Sequence, residues 1–175
     1  MVLMSDPAWC GCLEPWRVLA AGQMVMRAAG WEGMVGGQAA DLLAEGGEPD
    51  LALVQLIHAK KTGALIAASV ASGGLLAGGD EGQVSSLTRY GRRIGLAFQI
   101  ADDLLNLSGD PALMGKAAGS DEARGKMTYP AAVGPAQARE TGERLVAEAA
   151  ALAEGLGPAA WPLKDLALYI MQRTH

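Results

Sequence analysis

The chain has 175 residues, 50% of them hydrophobic, which suits one domain with a sizeable core. A net charge of -5 without any basic run argues against nucleic acid or an anionic membrane surface as partner. Aromatic residues are scarce at 5% while Ala, Leu, Gly and Met abound, favouring close-packed helices over a sandwich or barrel, so the expected class is all-α.

Residues 1–13 read as an irregular lead-in and residues 14–175 as a helical domain. The opening has neither a basic n-region nor a continuous apolar h-region, so no signal peptide is expected. Cys10 and Cys12 form a lone C-x-C, with His58 and His175 far away in sequence, which points to reduced thiols in a cytoplasmic protein. A first helix opens at Glu14-Pro15, carries Leu19, Met24 and Met26, and is broken at residues 33–37. Residues 38–45 resume a helix, and Gly46-Gly47-Glu-Pro49 marks a turn. Asp50 is a good N-cap for one long helix from Leu51 to about Leu76. Its uncharged part, with the residues just beyond, is mostly Gly, Ala and Ser and is interrupted by Gly73-Gly74, as expected of a buried core helix rather than a membrane span. A further helix covers residues 80–107. Residues 108–127 lack helical periodicity and hold Gly109, Gly115, Gly119 and Gly125; long Gly-rich loops within compact domains are usually functional. Two amphipathic helices, at 135–156 and 161–172, close the chain, which has no internal repeat. Tyr90 and Trp161 read as packing or interface residues.

The chemistry concentrates in Gly95-Leu-Ala-Phe-Gln-Ile-Ala-Asp-Asp-Leu-Leu-Asn106. Val84, Leu87, Gly91, Ile94, Phe98, Ala101 and Leu105 recur three or four apart, so the segment is helical. Gln99, Asp102, Asp103 and Asn106 then share one face and span roughly 10 Å, about the reach of a diphosphate with its metal ions. Adjacent carboxylates repel and would cost several kcal/mol to bury unpaired, so they require either a cation or solvent. Lys116 and Lys126 each follow a glycine in the long loop, where an ammonium group suits phosphate oxygens, although Asp110, Asp121 and Glu122 offer surface ion pairs there too. Lys61, in Lys61-Thr62-Gly63, stands where the long helix turns from polar to small residues and either meets an anion or snorkels. One economical reading is a carboxylate pair holding Mg(2+) and lysines holding a diphosphate that departs as leaving group, with apolar helix walls keeping water from a carbocation.

Gly36-Gly-Gln38-x-x-Asp41-Leu, His58-x-x-Lys61-Thr-Gly-Ala-Leu65, Gly95-Leu-Ala-Phe-Gln-Ile-x-Asp-Asp103, Gly109-Asp-Pro, Gly115-Lys116 and Gly125-Lys-x-Thr-Tyr-Pro130 resemble the short-chain trans-isoprenyl diphosphate synthases, most closely the bacterial farnesyl diphosphate synthase (geranyltranstransferase) type. The resemblance runs from about residue 33 to 134 and implies the C-terminal part of an all-α prenyl synthase bundle lacking its N-terminal helices. It also implies a dimer or a complex with the missing half. The implied reaction is Mg(2+)-dependent head-to-tail condensation of isopentenyl diphosphate with an allylic diphosphate, geranyl to farnesyl in type. By the same resemblance Asp102, Asp103 and Asn106 bind the metal, and Lys61, Thr62, Gln99, Lys116 and Lys126 bind the allylic diphosphate. Lys61, Asp102, Asp103 and Lys116 are then the candidate catalytic residues.

The family pattern has two aspartate-rich motifs, and Asp102-Asp103 is the sole adjacent Asp pair in this chain. The arginine pair that follows the first motif is absent; Arg92-Arg93 lies upstream of the second and does not correspond. Asn106 stands where the family usually has a third Asp, removing a charge but keeping an oxygen ligand. Asp103, Asn106 and Asp110 also loosely resemble the metal triad of class I terpene synthases, a reading that leaves Lys-Thr-Gly and the two Gly-Lys pairs unexplained. Two readings of different class follow: a prenyltransferase that needs its other half, or a non-catalytic partner of an active synthase.

Overall fold

The structure, a computed structural model, describes residues 12–108 and 125–172. Every regular element among the described residues is helical, in keeping with the all-α expectation. Helix α1 (Pro15–Ala29) starts on a proline, which is tolerated in a first turn, and α2 (Met34–Ala44) follows after a short turn. Helix α3 (Leu51–His58) is capped by Asp50, whose Oδ1 accepts the Leu53 N–H at 3.0 Å. It continues through a π turn (Ala59–Gly63) into α4 (Ala64–Leu76). A reciprocal box sets the start of α5 (Glu81–Ser108): Asp80 Oδ1 accepts the Gln83 N–H at 2.8 Å, and Gln83 Oε1 accepts the Asp80 N–H at 3.0 Å. A short α6 (Tyr129–Val133), the long α7 (Pro135–Glu154) and α8 (Trp161–Ile170) complete the chain order.

Three details differ from the sequence reading. Helix α2 begins at Met34 with Gly33 as its N-cap, so Gly36 and Gly37, read as part of a break, lie inside it. The long helix of residues 51–76 contains a π turn, and α6 was not anticipated beside the Gly-rich loop. The lead-in at residues 1–11 and most of that loop lie outside the described residues.

Helix α5 is the axis of the bundle, flanked by α4 on one side and α7 on the other, with α1 laid over α4 and α8 over α7. Its inner stripe of Tyr90, Ile94, Ala97, Ala101 and Leu104 packs with Leu145, Val146, Ala149 and Ala153 of α7. The Tyr90 hydroxyl donates to the Leu163 carbonyl at 2.6 Å, joining α5 to α8, and burial pushes this phenol up to about 12. Trp161, by contrast, is exposed. The 51–76 run is long and apolar enough by length and composition to cross a membrane. Here its Ala67, Ala68, Ala71 and Ser72 are buried, and 33% of its most apolar window is buried in all.

Glycine permits the closest contacts in the bundle. A Cβ on Gly37 would strike the Lys61 backbone, 2.7 Å from its Cα, and one on Gly95 would lie 2.7 Å from the Cα of Gly63. One turn earlier on α5, a Cβ on Gly91 would sit 2.5 Å from the Cα of Ala67. Each obstacle is backbone, which cannot swing aside as a flexible side chain can. Gly95→Ala is therefore expected to destabilise the fold by about 1–3 kcal/mol through overpacking. Gly73→Ala, at a helical position with open space around it, should instead stabilise by about 0.5–1 kcal/mol. Urea unfolding of both variants measures the contrast, and equal effects would refute the close-approach argument.

Candidate functional site

Where α2, the π turn and the C-terminal half of α5 converge, Asp41, Ile57, His58, Lys61, Gln99, Asp102, Asp103, Lys126, Met127 and Thr128 line a cleft of about 80 Å³. A larger hollow of about 680 Å³ lies along α1, α4 and α5, walled by alanines and edged by Lys60, Arg92, Arg93 and Arg144. Its described lining includes none of the predicted site side chains, five of which line the smaller cleft.

Lys61 does not snorkel. Its Nζ donates to Oδ2 of the buried Asp41 at 2.6 Å, across 20 residues of sequence. An ammonium group has three donors, so this pairing aims Lys61 while leaving it capacity for an anion. Asp41 owes its place to the contact of α2 with the π turn, and the Gly-Gly-Gln-x-x-Asp motif sets it one turn beyond Gly37. Its role as partner of Lys61 is one the sequence reading did not assign.

The Gly125-Lys-x-Thr-Tyr-Pro130 motif divides into structural tasks. Gly125 adopts φ +63°, a conformation that favours glycine, and its carbonyl accepts the Gly46 N–H at 2.9 Å, which ties the re-entering chain to the end of α2. Lys126 then enters the cleft. Thr128 caps α6, its hydroxyl accepting the Ala131 N–H at 3.3 Å, and Pro130 occupies the first turn. The Tyr129 backbone N–H donates to Asp103 Oδ2 at 2.7 Å.

His58 is the second residue left without a role by the sequence reading. It is buried, its Nε2 lies 3.5 Å from Asp103 Oδ2, and its ring stacks on Tyr129 with centroids 6.4 Å apart. Burial pushes the imidazole down to about 4, opposed by the Asp41 carboxylate and aided by the Lys61 ammonium.

Five of the eight predicted site residues thus meet in one cleft: Lys61, Gln99, Asp102, Asp103 and Lys126. Thr62 and Asn106 are half-buried and are not part of its lining among the described residues, while Lys116 lies outside those residues. No group of three or more His, Cys, Asp or Glu side chains suited to one metal ion occurs among the described residues. Two adjacent carboxylates beside lysines form a donor set that a hard, oxygen-preferring cation can share with water and phosphate oxygens.

Fold and cleft together define a class: an all-α bundle in which paired carboxylates of one long helix face lysines from its neighbours. Residues 21–154 match the polyprenyl synthetase family. The chain is 45% identical over 152 residues to farnesyl diphosphate synthase of Escherichia coli, aligning 84% of this chain with 50% of that one. It is 39% identical over 169 residues to geranylgeranyl pyrophosphate synthase 11 of Arabidopsis thaliana, covering 94% of this chain and 47% of that one. An FPP/GFPP synthase of Zymomonas mobilis superposes with a TM-score of 0.80 at 34% identity, over 95% of this chain and 55% of that one. A geranyltransferase of Helicobacter pylori, complexed with magnesium and isoprenyl diphosphate, superposes with a TM-score of 0.74 at 28% identity, over 92% and 52%. The chain belongs to the polyprenyl synthetase family, and it spans about half the length of the curated relatives it matches.

The depressed His58 pKa carries a pH signature. The ring is neutral in both folded and unfolded chains above pH 6.5, so its contribution is constant there; below 6.5 the unfolded chain takes up the proton first, and stability falls until about pH 4. The full loss is roughly 3 kcal/mol. Urea unfolding at neutral pH and near pH 4.5 should show the unaltered chain losing more stability than His58→Gln, and equal losses would mean that His58 titrates normally.

Proposed function

We propose that this chain is the half of an isoprenyl diphosphate synthase that grips the allylic diphosphate, and that condensation with isopentenyl diphosphate, geranyl to farnesyl in type, requires a complementary half bearing the first aspartate-rich motif. Residues 14–175 are then the C-terminal part of the synthase bundle. One observation carries the reading: Asp102 and Asp103 share a cleft with Lys61, Gln99 and Lys126 in a chain that matches the family over residues 21–154. The magnesium and isoprenyl diphosphate held by the Helicobacter pylori relative support the same choice of ligands.

In this reading Asp102 and Asp103 hold Mg(2+), which supplies Lewis-acid stabilisation of charge on the departing diphosphate. Lys61, aimed by Asp41, and Lys126, delivered by the Gly125 turn, donate to the diphosphate oxygens, where charge-assisted bonds strengthen as the carbon–oxygen bond breaks. Gln99 donates from the same face of α5, and Lys116, Thr62 and Asn106 complete the set from the adjoining segments. The family motifs assign these last three; Thr62 and Asn106 stand outside the described cleft lining, and Lys116 lies outside the described residues.

A second reading, a non-catalytic partner subunit, gains support from Trp16, Leu19, Met26, Trp31, Val35, Leu42 and Leu43, large apolar residues exposed on α1, α2 and the turn between them. Such a surface suits a second copy or a companion synthase chain. Both readings require the half-site to bind its ligand.

Calorimetric titration of the 175-residue chain with geranyl diphosphate tests that requirement. Binding is expected to depend on Mg(2+) and to be abolished in Asp102→Ala; binding unaffected by either would refute the site. Lys116→Ala should weaken binding by about 1.5–3 kcal/mol, the worth of one charge-assisted contact. A prenyltransferase assay with isopentenyl diphosphate added then separates the readings: product only when an N-terminal synthase half is supplied fits the enzyme, and none in either case fits the partner subunit.

A further inference from the structure

One oxygen of Asp103, in the wall of the cleft, is met from two other elements. Asp103 Oδ2 accepts the Tyr129 backbone N–H at 2.7 Å, and His58 Nε2 lies 3.5 Å from the same oxygen. Tyr129 is itself held twice by α3, its ring stacked on His58 at an interplanar angle of 20° and its hydroxyl accepting from Gln55 Nε2 at 3.2 Å. Gln55 and His58 are one helical turn apart, so a single turn of α3 holds Tyr129 by ring and hydroxyl while the Tyr129 backbone and the His58 ring meet on one carboxylate oxygen.

We propose that His58 is a positioning residue: with Tyr129 and Gln55 it forms a brace that fixes the Asp103 carboxylate in the orientation that receives a divalent cation. The inference rests on the reading of Asp103 as a cation ligand. Three features argue for it. The His58 side chain is 6% exposed and that of Asp103 11%, so solvent contributes little to orienting either. His58 Nδ1 is buried with no hydrogen-bond partner among the described residues. A bare acceptor lone pair is better tolerated there than a bare N–H, which places the ring proton on Nε2, facing Asp103. The Tyr129 amide and the His58 imidazole converge on the same oxygen, and hydrogen-bonding partners of a ligating carboxylate are what orient it toward a metal. A contact of 3.5 Å is at the outer limit of hydrogen bonding, and ligand-free sites commonly tighten such contacts when the ligand binds. Because Lys126 lies three residues before Tyr129, the same brace couples the carboxylate to the entry of that lysine.

The test is Mn(2+) binding by electron paramagnetic resonance, with inorganic diphosphate present, on the full chain and on Asp103→Asn, His58→Phe, His58→Gln and Gln55→Ala, each checked for helix content by circular dichroism. His58→Phe keeps a stacking ring but has no donor, and affinity is expected to fall roughly ten-fold or more. His58→Gln restores an N–H donor and should recover most of that loss, a rescue that a packing role would not produce. Gln55→Ala alters an exposed position and should weaken Mn(2+) by a smaller factor through Tyr129. If His58→Phe fails to fold, His58→Gln and Gln55→Ala decide: unaltered Mn(2+) affinity in Gln55→Ala together with ten-fold loss in a folded His58→Gln would overturn the brace. Failure of the unaltered chain to bind Mn(2+), or full binding by Asp103→Asn, would overturn the reading of Asp103 itself. Normal binding by a folded His58→Phe, with Asp103→Asn inactive in binding, would overturn the brace alone.

Discussion

At the centre of the bundle the backbone of the Ala59–Gly63 turn meets two other helices with only glycine hydrogens between them. Gly37 of α2 abuts Lys61, and Gly95 of α5 abuts Gly63. An ordinary side chain at either position would push its helix outward by an ångström or more. The cleft depends on that spacing, because most of its polar groups come from these same three elements: Asp41 from α2, Lys61 from the π turn, and Gln99, Asp102 and Asp103 from α5, with Lys126 entering from the segment before α6. π turns inside longer helices are rare and occur frequently at functional sites, since the extra residue re-aims the side chains that follow. Here it falls between His58, which faces Asp103, and the apolar run of α4.

The electrostatics follow from this geometry. Asp41 and Lys61 form one close pair, which keeps a lysine extended into a half-buried cleft without leaving it as an isolated charge. Asp103 Oδ2 receives the Tyr129 backbone N–H and lies beside the His58 ring, so an amide and an imidazole help to fix the orientation of that carboxylate. The two arrangements are complementary: a paired lysine offers its spare donors to an anion, and an oriented carboxylate is presented to a metal. A diphosphate complexed with a divalent cation presents both requirements at once.

Helix α5 and its polar face were legible because apolar residues spaced three and four apart fix the side that must be buried, and Gln99, Asp102 and Asp103 are what remains on another face. The π turn was hidden because residues 51–76 form one unbroken helical pattern, and a single inserted residue hardly disturbs its periodicity. Residues 33–37 read as a break because glycine lowers helix propensity, yet at Gly37 the small residue serves tertiary contact, and packing overrode propensity. Asp41 and His58 stood within recognisable motifs, but a pairing across 20 residues has no local signature. The support given by Tyr129 was less accessible still, since a backbone amide is the same in every residue but proline and only its position carries the function.

The hydrogen bonds that build the cleft span long stretches of chain: 20 residues from Asp41 to Lys61, 26 from Asp103 to Tyr129 and 74 from Gln55 to Tyr129. Local helix formation produces none of them. Each demands closure of a loop, with its entropy cost, before the contact returns any free energy. The cleft is therefore a property of the docked bundle, since no single helix brings its groups together. A ligand that fits it binds the native state and not its partly folded precursors, so site occupancy and folding draw on one equilibrium.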